Sequence, residues 1–214
     1  MAVTNGYCTL VQLKSYIDQG GNVTLGTGDD TELEFAINSA SRSIDAHCNR
    51  RFYVDGAVSA RVFAAEDPYT LKVNDFSTAT GLIVKTDTVG NGTFDRTWAS
   101  DDYQLEPPNG IVEGIEGWPY WRIRAIDDET FPVDPTGRAR VQVTAKWGWA
   151  AVPDAVLQAC LIQSLANFKR KDAPFGVIGF DEMAGAVRAG GNLESAAQTL
   201  LAPYRRGDLI AAVG

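Results

Sequence analysis

The chain has little of what most catalytic and metal chemistry requires. Its 214 residues include one histidine and three cysteines, Cys8, Cys48 and Cys160, with no CxxC pair. His47 beside Cys48 is too few ligands for a zinc site. GxSxG and HExxH are absent as well. Gly26, Thr27 and Gly28 lack the preceding strand, third glycine and lysine–hydroxyl pair of a phosphate-binding loop, so they read as a loop before a helix. Asp101–Asp102 and Asp127–Asp128–Glu129 are adjacent acids in turns, where solvated carboxylates are the expected state rather than a glycosidase couple or calcium site. These shortages predict a protein that is not an enzyme and needs no cofactor or metal.

Other absences bear on location and partners. No run of eighteen apolar residues exists, so no membrane contact is expected, and MAVTNGYCTL lacks the basic start and apolar middle of a signal peptide. An odd cysteine count without a secretion signal points to reduced thiols in a cytosol. Cys48 and Cys160 sit on apolar helical faces and are expected as small buried hydrophobes. The net charge of −8 carries no excess of Lys and Arg with which to grip DNA phosphates. That charge is uneven: about −2 over residues 1–51, about −6 over 52–152 and about zero over 153–214. Basic clusters at Lys169–Lys171 and Arg205–Arg206 end predicted helices, where the helix dipole favours cations.

What is present is 45% hydrophobic residues, enough for a sizeable core. Thr9 is a predicted N-cap for a short helix carrying Leu10, Leu13 and Ile17 on one face. Asp29, Asp30 and Thr31 announce a second helix, along which Leu33, Ile37, Ala40, Ile44 and Cys48 form an apolar stripe opposite Glu34, Asn38, Arg42 and Asp45. From Phe52 the pattern changes. Val58, Ala60, Val62 and Ala64 alternate with Ser59, Arg61 and Phe63, and TLKV, GLIVKT, DYQLEP, WRIRAI and RVQVTAKW follow between turn residues. This predicts six or seven short strands, with Gly90, Asn91 and Gly92 marking a hairpin. All five tryptophans, Trp98, Trp118, Trp121, Trp147 and Trp149, fall here. They read as core aromatics, the alternative being a sugar-stacking platform.

Pro153 opens a long helix with Val156, Leu157, Cys160, Leu161, Leu165 and Phe168 as its stripe. A last helix carries Leu193, Ala196, Ala197, Leu200, Leu201 and Tyr204, with Pro203 distorting its end. Between them lies KDAPFGVIGFDEMAGAVRAGGN, residues 171–192, apolar but without a period of 2 or 3.6. A compact domain rarely needs such a connection, so it is either disordered or ordered by a partner. The predicted fold is α+β: a helical domain of about four helices, residues 1–51 and 153–214, with an antiparallel β module, sandwich or barrel-like, inserted at 52–152.

YCTLVQLKSYI, DDTELEFAINSASRSIDAHCNRRF and PDAVLQACLIQSLANFKRKDAPFG resemble the helices of head-tail connector proteins of tailed bacteriophages and related particles. The run Cys48, Asn49, Arg50, Arg51, Phe52 is similar to the family's Cys-x-Arg-like helix end with its aromatic, and SDDYQLEPPNG to a stretch of larger members. Small members are essentially helical, and this chain departs from them by its β module. The resemblance implies a virion structural protein at the head-tail interface, assembled in the host cytoplasm. It would form a ring of twelve copies beneath the portal, extending the DNA channel and meeting a tail, stopper or terminator protein. Double-stranded DNA would pass without sequence-specific contact. In that setting Phe175, Gly176, Val177, Ile178, Phe180, Met183, Val187, Arg188, Tyr204, Arg205, Arg206, Leu209 and Ile210 are expected to contact the portal or neighbouring subunits. A carbohydrate- or receptor-binding β module and a tail terminator are the alternatives.

Overall fold

In a computed structural model of the chain, residues 2–18, 25–170 and 193–207 are described in full, and residues 177–181 and 185–188 by backbone alone. The fold is α+β, with an antiparallel β module inserted between the second and third helices. The chain divides into a helical unit, Met1–Phe52 with Val152–Gly214, and a β unit, Tyr53–Ala151.

The helical unit contains α1 (Leu10–Asp18), α2 (Asp30–Cys48), α3 (Asp154–Arg170) and α4 (Ser195–Leu201). Thr9 starts α1 through a reciprocal cap: Gln12 N–H donates to Thr9 Oγ1 (3.2 Å) and Thr9 N–H to Gln12 Oε1 (2.8 Å). The α2 stripe is as the spacing predicts, with Leu33, Ile37, Ala40, Ile44 and Cys48 all buried. Asn49 ends this helix in the left-handed conformation, φ 54°. Residues from both ends of the chain meet at Phe52. Its ring packs edge-on against Tyr7 (5.6 Å) and Tyr204 (5.8 Å), and its N–H donates to Tyr7 Oη (2.9 Å). The Tyr7 hydroxyl in turn donates to the Asp45 carboxylate, which Arg42 Nε also approaches at 3.1 Å. Burial raises the Asp45 pKa despite those partners.

The α3 stripe departs from expectation. Val156, Cys160 and Leu161 are buried, but Leu157, Leu165 and Phe168 are half-buried, and Ala159, Gln163 and Ser164 take the inward positions. The reason is that α3 packs against α1, α2 and α4. Its inner face is therefore chosen by close approach and by hydrogen bonds, with Gln163 Oε1 accepting Glu194 N–H at 2.8 Å.

The β unit has two antiparallel sheets. One has order β1 (Ser59–Phe63), β7 (Val141–Ala145), β3 (Ile83–Thr86), β4 (Arg96–Thr97); the other runs β2 (Thr70–Phe76), β6 (Tyr120–Ala125), β5 (Tyr103–Glu106). Both sheets feed one buried cluster: Val84, Val141, Val143 and Ala145 from the first, Leu71, Val73, Phe76, Ile123 and Ala125 from the second, with Trp98, Phe131 and Trp147. In β7 the sequence VQVTA alternates buried and half-buried, the signature of a sheet with one face inside. Strand β1 follows the predicted alternation, with Arg61 and Phe63 half-buried on the face that meets Trp147. Val58 and Val62 are 49% and 54% exposed, while Arg61 lies 4.6 Å over the Trp147 ring and Phe63 packs beside it at 5.7 Å. An aromatic partner outweighs two valines here, since cation–π and ring contacts add to area burial.

Two glycine sites close this unit. In the loop between β3 and β4, Gly90 and Gly92 have φ 81° and 91°. Their N–H groups donate to the Asp87 carboxylate at 2.6 and 2.7 Å, with Asn91 at 3.2 Å. Burial pulls the Asp87 pKa upward, but these three donors and Arg140 outweigh it and hold the carboxyl below its ordinary range. At the exit of the unit Gly148 has φ 103°, and a Cβ there would lie 1.9 Å from the Tyr53 carbonyl oxygen. Entry and exit therefore run side by side, with Asp55 N–H donating to Trp147 C=O at 2.8 Å.

Candidate assembly surface

The 171–192 segment leaves and rejoins the helical unit at one clamped point. Arg170, at the end of α3, donates to Glu194 Oε1 (3.3 Å) and Asn167 Oδ1 (3.2 Å), while Gln163 holds the Glu194 backbone. Within the segment, β8 (Val177–Asp181) and β9 (Gly185–Arg188) pair antiparallel, with Val177 opposite Arg188 and Phe180 opposite Ala186 and a register shift between Val177 and Gly179. The sequence shows no clean period of 2 here because that shift interrupts it. Of the expected contact residues, Val177, Ile178, Phe180, Val187 and Arg188 lie on this hairpin. Phe175, Gly176, Met183, Leu209 and Ile210 lie outside the described residues.

Tyr204 ends the single turn Ala202–Tyr204 that follows α4, and Arg205 and Arg206 come after it. Tyr204 is half-buried against Phe52, and Arg206 N–H donates to Cys48 C=O at 2.9 Å. These two positions help close the helical unit, while Arg205 is exposed. Its charge and, to a greater extent, burial lower the pKa of His47. The structure thus brings Tyr204 and Arg206 onto the α2 C-terminus.

Two grooves flank the clamp. One, about 560 Å³, is lined by Thr31, Glu32, Phe35, Ala36 and Ser39 of α2 and Asn167, Phe168 and Arg170 of α3. Phe35 is 63% exposed at its rim. The other, about 580 Å³ and more polar, includes Ser43, His47, Gln163, Leu193 and Gln198. Phe35 is absent from the sequence-predicted set, yet it carried a signal: an aromatic out of phase with the Leu33–Ile37–Ala40 stripe, on the charged side of its helix.

Two of the acids noted in the turns have local partners. Asp102 accepts the Ala99 N–H at 2.8 Å, and Glu129 pairs with Arg96. Among the described residues no group of three His, Cys, Asp or Glu side chains lies close enough to hold a metal, and no helix is long and apolar enough to cross a membrane. Trp98, Trp118, Trp147 and Trp149 are buried, leaving Trp121 as the half-exposed member of the five. A stacking platform needs exposed rings, so four of these tryptophans serve packing instead.

No protein-family model and no curated protein matches the chain. Its fold does match solved structures end to end. A chain of the neck of an empty gene transfer agent (GTA) particle, computed with C6 symmetry, aligns over 99% of this chain and 95% of its own at a TM-score of 0.54 and 16% identity. A chain from the virion of a native GTA particle aligns over the same shares at 0.55 and 19% identity. A third, from the neck of a native GTA particle computed with C12 symmetry, does so at 0.54 and 16%. At these identities the likeness is one of fold, and it spans both units.

Proposed function

We propose that this chain is a structural neck protein of a phage-like particle, acting as a head-tail connector. Copies assemble, twelve to a ring, beneath the portal, extend the channel for double-stranded DNA and present a docking surface to a tail, stopper or terminator protein. The observation that carries this reading is the end-to-end match of both units to chains of GTA particles, two of them from the neck. The protein works as scaffold rather than as catalyst. It would join the virion in the host cytoplasm.

Charge and topology fit that task. Duplex DNA carries one negative charge per roughly 1.7 Å of axis, so an acidic lining lets it slide where a basic lining would hold it. The acidic surplus of residues 52–152 is assigned to the channel side. A strongly positive lumen in the assembled ring would overturn that assignment. The β8–β9 hairpin is assigned to contacts with neighbouring copies or the portal, together with 172–191 as a whole and the tail from Leu209. A two-stranded hairpin alone is at best marginal in water, whereas a partner surface can order it.

Imaging decides between outcomes. The expected result is a ring of the purified protein, seated on the portal axis in particle reconstructions. A protein that stays monomeric at all concentrations, or sits elsewhere in the particle, would overturn the reading. Deletion of 176–190 is expected to leave a folded monomer that no longer enters particles, and normal incorporation would refute the contact assignment.

A further inference from the structure

The helical unit is built from two stretches of chain separated by the whole β unit, and two cysteines meet where those stretches join. Cys8, in the lead-in to α1, and Cys160, near the middle of α3, are both buried, with their sulfurs 3.5 Å apart. Around them lie Ser41 Oγ of α2, 3.5 Å from Cys160 Sγ, and Ser164 Oγ, 3.7 Å from the same sulfur. Ser41 also accepts the Tyr7 N–H at 3.1 Å, so the cluster anchors the lead-in to α1. We propose that Cys8 and Cys160 are a latent disulfide site, closed by a small-molecule disulfide once the protein leaves a reducing compartment, that staples the two stretches of the helical unit together.

The two sulfurs are already in van der Waals contact. The sulfurs must close by about 1.5 Å to reach the roughly 2.05 Å of a disulfide. Cys8 lies outside any helix, so it can follow this movement without unwinding one. A hydrogen bond from the Cys8 thiol, acting against burial, and a further one from Ser164 favour the thiolate on Cys160, which makes Cys160 the attacking sulfur. Local opening of residues 2–9 away from α2 and α3 would give a small disulfide access to both sulfurs.

The exchange balances. The Cys160 thiolate attacks one sulfur of a disulfide of the oxidised-glutathione class, forming a mixed disulfide and releasing one small thiolate, which takes up the proton lost from Cys160. The Cys8 thiolate then attacks the Cys160 sulfur, forming the Cys8–Cys160 bond and releasing the second small thiolate, which takes the Cys8 proton. Two protein thiols lose two electrons, and the small disulfide gains them as two thiols. Because 152 residues separate the partners, the crosslink restricts the unfolded chain strongly in the loop-entropy picture.

The test uses the full-length protein, purified with reductant and then equilibrated with oxidised and reduced glutathione at ratios from cytosolic to extracellular. Thiols are counted after denaturation. The count should fall from three to one, with Cys48 left free, while the Cys48→Ser variant falls from two to none. Non-reducing peptide mapping should recover one species joining the peptides of Cys8 and Cys160. The urea midpoint of the Cys48→Ser protein should rise on oxidation and return with dithiothreitol. Three thiols that persist at the extracellular ratio, a crosslink through Cys48 or between chains, or a midpoint unmoved by oxidation would each overturn the proposal. The thiol count of the unmutated chain decides the question even if Cys8→Ser or Cys160→Ser fails to fold.

Discussion

The two units build their cores from chain that is organised in opposite ways. The β unit is contiguous in sequence, its entry and exit lie together at Asp55, Trp147 and Gly148, and its core is apolar and aromatic, with Asp75, Thr86 and Asp87 buried beside it. The helical unit is discontinuous, and its interior mixes apolar stripes with polar groups: Ser41, Gln163, Ser164, and the Tyr7–Asp45 pair at its edge. A contiguous unit can complete its core from local chain alone. A unit made from two distant stretches needs specific polar contacts to fix how they join, because apolar stripes by themselves allow sliding.

The largest expected effect comes from cutting the chain at the unit boundaries. Residues 53–151 expressed alone should fold, giving a near-ultraviolet circular dichroism signal from packed tryptophans and a cooperative urea transition, whereas residues 1–52, which hold no tryptophan, should show no cooperative transition. An unfolded 53–151 fragment would break the comparison.

Next in size is Phe52→Ala, which removes the ring that joins Tyr7 to Tyr204. It should cost the helical unit about 3–5 kcal/mol by urea unfolding, in line with large core truncations. A loss under about 1 kcal/mol would mean that the aromatic meeting point does not hold the two stretches. Gly148→Ala should cost the β unit roughly 2–4 kcal/mol, since it combines a positive φ with contact on backbone that cannot move aside. Tyr7→Phe should follow at about 1–3 kcal/mol, leaving Phe52 N–H and the Asp45 carboxylate short of a partner.

The smallest effect is the most diagnostic, because its sign differs between the units. Asp87, Asp95 and Asp134 of the β unit have pKa values lowered in the fold: Asp87 by its loop amides against burial, Asp95 and Asp134 by hydroxyl and amide donors of Thr88 and Thr136. Their stabilisation is complete above the unfolded value of about 3.9 and is lost as pH falls through the folded values. Asp45 is raised, chiefly by burial, so its folded form binds a proton more readily than its unfolded form. Its contribution is greatest below about pH 3.9 and declines as pH rises through the folded value. Asp87→Asn should therefore flatten the acid-side loss of the β unit, and Asp45→Asn should flatten a decline in the opposite direction. Denaturation midpoints followed from pH 3 to 7 give both slopes, and slopes of the same sign would sink the contrast.

Where the periodicity was strong, the structure follows the sequence. The α2 stripe from Leu33 to Cys48, the Thr9 cap and the VQVTA alternation needed nothing beyond local geometry, since spacing of 3.6 or 2 determines which side chains share a face. Where two faces competed, the sequence misled. In β1 the alternation left the inner face open, and Trp147, about 85 residues further along, draws Arg61 and Phe63 toward it. In α3 the leucines pointed one way, and packing against three other helices turned Ala159, Gln163 and Ser164 inside. The candidate surface was legible as a segment too long and too apolar for a simple connection. Its Arg170–Glu194 clamp, and Phe35 on the adjoining groove, were not, because those relations join residues with no common period.

By itself the sequence determined the class of the fold, the order of its four helices and the place of the inserted β module between the second and third, all consequences of local spacing and composition. Only the tertiary structure decided which face of β1 and of α3 turns inward, that both sheets share one core, and that Cys8 meets Cys160 next to Ser41. Those outcomes depend on contacts between residues far apart in the chain, whose energies no local pattern encodes.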